Sequence, residues 1–257
     1  MYNPQRTKNL FRAEDEKPFK LSRLKIQDFL DCPLCFYLDR KCGTKKPDGA
    51  SFRLNSAVDS LLKKEFDKFR VEGAAHPLME QYGIDAIPFA HPNLDEWRSQ
   101  FKGIQYHHQT SNFIVTGAVD DLWVTPTGAL IVVDYKATST SYEIELDDSE
   151  YKTKLKRQIE VYQWLLRRKD FQVEKTGYFI YCNGDDSKNE FNNKLEFSIS
   201  VLPYEGDDTW LEPTLLQIRT CLERNLCPPS NKDCPFCRYR QAAGKHVQDF
   251  SLDPSNA

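Results

Sequence analysis

Apolar residues recur along this chain at two spacings, one typical of helices and the other typical of strands. Repeats every three or four positions predict helices over roughly residues 55–69, 148–168 and 210–226. Short apolar runs, some of them alternating with polar residues, predict strands. These strands cover residues 113–124, 129–135, 176–182 and 195–202. The order of the elements predicts an α/β fold with a central mixed sheet flanked by helices.

Two of the strands form a predicted hairpin that carries charged residues at its ends. Asp120 lies near the start of the first strand, and Asp134 and Lys136 lie at the end of the second. Because side chains alternate along a strand, Asp134 and Lys136 point to the same face. Carboxylate oxygens bind Mg²⁺ or Mn²⁺, and a neighbouring ammonium can orient water or neutralise developing charge. The hairpin therefore predicts metal-assisted hydrolysis of a phosphodiester.

Three short motifs follow one another along the chain. Their order and spacing together indicate a protein family more specifically than any one motif alone. They are Gly117-Ala-Val-Asp120, Asp134-Tyr-Lys136 and Gln158-Ile-Glu-Val-Tyr162. With these motifs the chain resembles the PD-(D/E)xK nuclease superfamily, in particular its RecB-like branch. The resemblance extends over about residues 20–240 and implies one restriction-endonuclease-like domain.

The resemblance also implies a role for each motif residue. Asp120 and Asp134 would bind Mg²⁺ or Mn²⁺ together with the backbone carbonyl of Tyr135. Lys136 would position the attacking water. The last motif would orient the nucleic-acid strand through Gln158 and Tyr162, which share a helix face. The alternative for that pair is an amphipathic helix with an incidental glutamine and a packed tyrosine.

The chain departs from the family pattern at one metal ligand. RecB-like nucleases often carry a histidine on a helix before the Gly-x-x-Asp motif, and Asp59 stands at that place here. An oxygen ligand suits Mg²⁺, so Asp59 is predicted to complete the divalent site. In the alternative interpretation Asp59 belongs to a solvated charged face together with Lys63, Lys64, Glu65 and Asp67.

Two C-x-x-C pairs near opposite ends of the chain predict a second metal site. They comprise Cys32 and Cys35, and Cys234 and Cys237. Four thiolates suit either Zn²⁺ or a 4Fe–4S cluster, and either would join the two ends of the domain. The arrangement resembles AddB-type and CRISPR-associated exonuclease domains, which carry a 4Fe–4S cluster. Their last cysteine would fall at Ala243, so Cys35 is the predicted fourth ligand here.

Other interpretations of the cysteines stay open. Cys227 or Cys42 could replace Cys35 as the fourth ligand, or the thiols could be buried independently of any metal. The pairs are the stronger signal because each can chelate one ion from a tight turn.

Composition narrows the class of protein. The chain has 257 residues, of which 40% are hydrophobic, so wholesale disorder is excluded. Its formal charge of −3 lacks the basic excess of many nucleic-acid binders, although lysines can be concentrated locally. No stretch has the length and apolarity of a membrane span or a signal peptide, which predicts a cytoplasmic protein without membrane contact.

These observations predict a domain organisation and a function. Residues 1–20 form an extended arm, 21–245 the nuclease domain with its terminal cysteine motifs, and 246–257 a flexible tail. The predicted activity is Mg²⁺- or Mn²⁺-dependent hydrolysis of DNA, single-stranded or with free ends. Its setting would be repair, recombination or defence against foreign DNA, with protein partners in such a complex or in a CRISPR-type one. The alternatives are a weakly active or inactive subunit that binds DNA or a partner, and a small-molecule phosphohydrolase.

Overall fold

Helices and strands alternate along the part of the chain that the computed structural model describes, which comprises residues 3–47, 49 and 52–251. The strands are β1 (Phe19–Ser22), β2 (Ile87–Pro88), β3 (Ile104–His108), β4 (Phe113–Gly117), β5 (Asp121–Val124), β6 (Leu130–Thr138), β7 (Thr176–Gly184) and β8 (Phe197–Glu205). The helices are α1 (Arg23–Asp31), α2 (Pro33–Arg40), α3 (Arg53–Glu72), α4 (Pro77–Gln81), α5 (Leu94–Arg98), α6 (Glu150–Arg167), α7 (Leu211–Glu223) and α8 (Pro235–Ser251).

A five-stranded mixed sheet, in the order β2-β5-β6-β7-β8, carries the predicted hairpin at its centre. Strands β6 and β7 are parallel, and the other neighbours are antiparallel. Helices α3 and α6 both contact β6. The predicted fold class, a mixed sheet flanked by helices, is confirmed. A second sheet has three strands in the order β1-β4-β3.

The prediction of one continuous strand over residues 113–124 was wrong. The chain leaves β4 after Gly117 and enters β5 at Asp121, and the two strands belong to different sheets. Val119 lies in the break, outside any strand, but its side chain is fully buried. The sequence therefore keeps an apolar residue there, and the apolar pattern runs on without a visible interruption. The break leaves Asp120 outside the sheet ladders, immediately before β5.

Local sequence signals explain where α6 begins and where α3 ends. At the start of α6 the side chain of Ser149 accepts a hydrogen bond from the backbone N–H of Lys152 at 3.3 Å, which satisfies one free donor of the first turn. Helix α3 ends at Gly73, whose φ of 65° is the left-handed conformation that glycine adopts most readily.

The chain divides into two compact units. The terminal unit comprises the described parts of Met1–Gly49, His107–Ile114 and Glu212–Ala257, and the central unit comprises those of Ala50–Tyr106 and Val115–Leu211. The central unit contains the five-stranded sheet together with α3 and α6. Its largest fully buried side chains include Trp123, Phe66 and Phe179.

In the terminal unit, α1 begins after Ser22, and Cys32 separates it from the short helix α2. Hydrogen bonds connect this part of the unit to its C-terminal residues. The hydroxyl of Tyr37 donates to the carbonyl of Arg224 at 2.8 Å, and the Asn231 side chain donates to the carbonyl of Asp31 at 3.1 Å. These contacts bring residues of the two ends of the chain together without any metal.

The predicted arm and tail contain more structure than the sequence pattern indicates. Within the arm, Phe11 is buried against Phe19 in an edge-to-face contact. Helix α8 continues through Ser251, into the segment 246–257 that was predicted to be flexible; residues 252–257 lie outside the described residues. No helix in the described part of the chain is long and apolar enough to cross a membrane.

Candidate active site and cysteine cluster

Asp120, Asp134 and Lys136 lie together in the central unit, where the break before β5 meets the end of β6. The Tyr135 backbone N–H donates a hydrogen bond to Asp120 Oδ2 at 3.0 Å, which fixes this carboxylate beside β6. The Asp134 side chain is completely buried, and the Lys136 ammonium contacts its Oδ2. We call Asp59, Asp120, Asp134 and Lys136 the carboxylate site.

The carboxylates of this site are crowded. Burial raises the pKa of Asp134 to about 7, and the charge of Asp120 adds to this rise. Burial, and again Asp120, also raise the pKa of Asp59. Buried carboxylates that repel one another are stabilised by a cation bound among them. The carboxylate oxygens of Asp59, Asp120 and Asp134 and the Tyr135 carbonyl are the type of ligand that Mg²⁺ or Mn²⁺ prefers, although the three carboxylates do not all lie within 4.8 Å of one another.

Lys136 is held as a cation. Burial by itself would lower its pKa, but the charges of Asp134 and Asp120 outweigh burial and raise the pKa of Lys136. Its Nζ also lies 3.5 Å from the Tyr135 carbonyl oxygen. A protonated lysine in this position can donate hydrogen bonds and stabilise negative charge, but it cannot accept a proton.

A second lysine approaches the site, and sequence reasoning missed it. Lys63 Nζ lies 2.9 Å from Asp59 Oδ2 and 3.4 Å from Asp120 Oδ1. Lys63 had been grouped with a solvated face of α3, and its four-residue spacing from Asp59 was the only available signal. Glu65, from the same group, points elsewhere: it is half-exposed and contacts His76 at 3.1 Å.

The third motif meets the site from α6. Gln158 Nε2 donates to Asp134 Oδ1 at 2.6 Å and to the Tyr162 hydroxyl at 3.2 Å. Gly117, at the start of the first motif, lies against the Tyr162 ring, where an added Cβ would come within 2.7 Å of Cε1. The three motifs are thus in direct contact, and Gly117 permits the close approach of α6 to the end of β4.

A buried ionic network lies beneath the hairpin. Asp121 points to the opposite face from Asp120, is fully buried, and accepts hydrogen bonds from Arg70 at 2.6 Å and Arg98 at 2.9 Å. The Tyr135 hydroxyl also donates to Asp121, at 2.7 Å. Because Asp121 and Tyr135 are each next in sequence to a residue of the carboxylate site, this network holds both of its strands in register.

The four cysteines of the C-x-x-C pairs form one buried group in the terminal unit, which we call the cysteine cluster. Their sulfur atoms all lie within 4.8 Å of one another. The Sγ–Sγ distances are 3.8 Å from Cys32 to Cys237, 3.6 Å from Cys35 to Cys234 and 3.5 Å from Cys35 to Cys237. Cys42 and Cys227 are exposed and lie outside this group.

These distances match a single tetrahedral ion. With Zn–S bonds of about 2.3 Å, the edges of a ZnS₄ tetrahedron are about 3.8 Å long. A 4Fe–4S cluster places each thiolate on a different iron and needs more widely separated sulfurs. Burial opposes ionisation of Cys32, but hydrogen bonds from the backbone of Cys35 and Asn231 lower its pKa to about 7. Burial raises the pKa of Cys35 and of Cys237, so Cys32 is the one of these three thiols at which the thiolate is favoured without a cation.

The mixed sheet flanked by helices and the carboxylate site with its lysine are the features expected of a nuclease fold. A model of the PD-(D/E)XK nuclease superfamily matches residues 53–242. The chain belongs to this superfamily, and the resemblance found in the sequence is confirmed. Family membership supports a nuclease.

Other comparisons add little to this assignment. No curated protein matches the chain. Among solved structures, a Eubacterium rectale protein provisionally described as an exonuclease is 14% identical, with a TM-score of 0.45 over 86% of this chain and 87% of that one. SSO0001 is 11% identical, with a TM-score of 0.33 over 96% and 90%. At these scores neither likeness carries an argument about function.

Proposed function

We propose that this protein is a nuclease that hydrolyses DNA phosphodiester bonds with the help of Mg²⁺ or Mn²⁺ at the carboxylate site. The observation that carries the proposal is the convergence of Asp120 and Lys136 on the strand that holds the fully buried Asp134 carboxylate. Asp59, Asp120, Asp134 and the Tyr135 carbonyl would hold the ion. When bound, the ion supplies a Lewis acid for the phosphate and lowers the pKa of a coordinated water.

The side chains of the site divide the remaining work. Because Lys136 stays protonated, we assign it the orientation of the attacking water and the stabilisation of charge that develops on the phosphate. Gln158 orients Asp134 through the 2.6 Å hydrogen bond, and Tyr162 supports Gln158. Lys63 would hold the Asp59 and Asp120 carboxylates in position at the site.

For the cysteine cluster we propose one structural Zn²⁺ ion held by Cys32, Cys35, Cys234 and Cys237. The support is the short separation of the sulfur atoms, which suits one tetrahedral ion better than a 4Fe–4S cluster. Elemental analysis of purified protein should give one zinc per chain and a spectrum without visible absorption. A brown protein with about four irons per chain after anaerobic purification would instead identify an iron–sulfur cluster.

We infer DNA as the substrate from membership of the superfamily, and single strands or free ends are the form we favour. Repair, recombination or defence against foreign DNA are the settings that such an activity suits, with protein partners in a complex. The formal charge of −3 means that binding must rely on local groups of lysine and arginine.

The test is cleavage of labelled single- and double-stranded DNA with Mg²⁺ or Mn²⁺ by the parent protein, Lys136→Ala and Asp120→Ala. We expect metal-dependent cleavage that falls by at least about 100-fold in both variants, because each loses charge at the reacting phosphate. Asp95→Ala, at an exposed position of the central unit, is the matched control and should cleave normally.

One outcome would favour the alternative of a nuclease-fold subunit that binds without cutting. This is a folded, metal-replete parent protein that binds DNA but cleaves neither form with either ion. Equal cleavage by the parent protein and both variants would instead point to a contaminating nuclease and contradict the assignment of the site.

A further inference from the structure

We propose that a row of cations along α6 is the path by which a single strand of nucleic acid reaches the carboxylate site. This inference rests on the proposed nuclease function and locates its substrate. Each cation of the row lies over an aromatic ring of the central unit. The pairs are Lys152 over Tyr181 at 4.6 Å, Lys156 over Tyr204 at 5.8 Å and Arg157 over Trp210 at 5.7 Å from the ring centroid.

The row begins beside the reacting centre. Tyr181 on β7 lies directly opposite Lys136 on β6. Adjacent strands are about 4.8 Å apart, and opposed residues point to the same face of the sheet. Lys152 Nζ donates a hydrogen bond to the Tyr181 hydroxyl at 3.0 Å. One tyrosine thus connects the first cation of the row to the catalytic lysine.

Two of these cations are not neutralised. Among the described residues, no carboxylate oxygen lies within 4 Å of the charged group of Lys152 or Arg157. Their neighbour Lys154, in contrast, pairs with Glu150 at 2.7 Å. Cations that rest on aromatic rings are held in position but keep their charge available for an anion. A phosphate backbone provides such anions at regular intervals.

The third cation has a weak competitor. Lys156 pairs at 2.7 Å with Asp148, whose side chain is 99% exposed. An ion pair at such an exposed position is worth little, so a phosphate can replace the carboxylate. In the absence of substrate, Asp148 occupies the place that we assign to a phosphate.

The aromatic residues favour a single strand over a duplex. The Tyr151 ring is 61% exposed, and Lys152 Nζ lies 6.0 Å from its centroid. Proteins that bind single strands combine cations for the backbone with exposed rings on which bases stack. In a duplex the base faces are already stacked on one another, so they are not available to stack on an exposed ring. Tyr181 is buried and serves only to hold Lys152.

The experiment measures binding apart from cleavage. Lys152→Gln, Lys156→Gln and Arg157→Gln, alone and combined, are made in a Lys136→Ala background so that the probe stays intact. Fluorescence anisotropy follows labelled single-stranded DNA, single-stranded RNA and duplex DNA over a range of salt concentrations. Lys169→Gln is the matched control, because Lys169 is exposed beyond the far end of the same helix.

We expect each substitution to weaken single-strand binding several-fold and the triple variant to weaken it by about 100-fold. The slope of log K against log salt should become shallower by about 0.7 for each lost phosphate contact. Asp148→Asn should act in the opposite direction and tighten binding, because it releases Lys156. Tyr151→Ala should weaken binding to single strands only.

The path is overturned if the folded triple variant binds single strands with the affinity and salt slope of its parent. It is also overturned if the substitutions weaken only duplex binding. Failure of the proposed function is a separate result: the Lys136-containing protein would then bind through the row but cleave nothing with either ion. The triple variant is therefore also made in the protein that keeps Lys136, where cleavage with an unchanged KM would leave the function intact and remove the path.

Discussion

The carboxylate site and the cysteine cluster each bring together proposed metal ligands, but by opposite means. Three proposed ligands of the carboxylate site, Asp120, Asp134 and the Tyr135 carbonyl, come from one sequence segment, and hydrogen bonds from Tyr135 and Gln158 fix the two carboxylates. The cysteine cluster joins residues about 200 positions apart, and its sulfur atoms contact chiefly one another. Hydrogen bonds fix the first site without an ion, whereas the second gathers four thiols that a bound ion would hold together. We therefore expect loss of metal to stop chemistry at one site and to unfold structure at the other.

Removal of metal from the cysteine cluster should have the largest effect on stability. A structural Zn²⁺ ion contributes about 10 kcal/mol of folding free energy in small domains, so a strong zinc chelator should melt the terminal unit at ordinary temperature. Circular dichroism on heating measures this, with zinc-saturated chelator as the control. Omission of Mg²⁺ and Mn²⁺ alone should lower the transition by only a few degrees, because it removes the binding free energy of one ion and leaves the fold intact. Equal melting of zinc-free and zinc-loaded protein would remove the distinction between the two sites.

Loss of the buried network beneath the hairpin comes next. Asp121→Ala removes the buried carboxylate that Arg70 and Arg98 share and leaves them only the half-exposed Asp67, which costs about 3 kcal/mol. Denaturant unfolding should show this loss, together with reduced cleavage. The exposed Asp85→Ala is the matched control and should stay within about 0.5 kcal/mol of the parent. An unchanged midpoint for Asp121→Ala would mean that the carboxylate site does not depend on this network.

The pH dependence of stability tests the crowding of carboxylates. The pKa of Asp134 rises from an ordinary 3.8 to about 7 in the folded protein, so between these values the folded state holds a proton that the unfolded state lacks. Its contribution is complete below about pH 4 and is lost as pH rises through about 7, a change of a few kcal/mol. Zinc-loaded protein without added Mg²⁺ or Mn²⁺ should show this slope, and Asp134→Asn should lose it. Saturating Mn²⁺ should also flatten it, because the bound ion replaces the proton.

Gln158→Ala should produce a smaller and purely functional effect. Without the hydrogen bond to Asp134, the carboxylate loses its orientation, and residues that orient metal ligands typically contribute 10–100-fold. We expect kcat to fall by about that factor, with KM and the melting temperature nearly constant. Gln172→Ala, at an exposed position, serves as the control. A fall in stability as large as the fall in kcat would assign Gln158 a structural role instead.

The smallest effect is expected at the cysteines outside the cluster. Cys42 and Cys227 are exposed, so the double variant Cys42→Ser/Cys227→Ser should keep its full metal content and stability within about 0.5 kcal/mol. Cys35→Ser should lose the metal. Elemental analysis of the two variants decides between Cys35 and its rivals as the fourth ligand. Loss of metal from the double variant would reverse that assignment.

The parts of this structure that could be predicted are those whose signal is local. Helix α6 repeats its apolar residues regularly, and its predicted limits of 148 and 168 lie close to the observed 150 and 167. The motif residues were found because the hairpin holds Asp120, Asp134 and Lys136 near one another in sequence. The C-x-x-C spacing of the two cysteine pairs was enough to predict that they form one shared site.

The parts that escaped prediction depend on contacts between distant residues. The break before Asp120 was hidden because Val119 is as apolar as a strand residue. In the sequence Lys63 looks like any surface lysine of an amphipathic helix, but in the structure its Nζ lies 3.4 Å from Asp120 Oδ1. The partners of Asp121 come from α3 and α5, and no periodicity indicates which arginines will meet a given aspartate.

The position of the cysteine cluster has a consequence for synthesis on the ribosome. Cys32 and Cys35 emerge early, but their partners Cys234 and Cys237 follow about 200 residues later. At 5–20 residues per second this interval lasts about 10–40 s. All residues of the central unit emerge within it, so the five-stranded sheet can form while the first two thiols are still unligated. During that time these thiols are open to oxidation or to capture of the wrong metal, and the newborn chain depends on a reducing environment until its last helix appears.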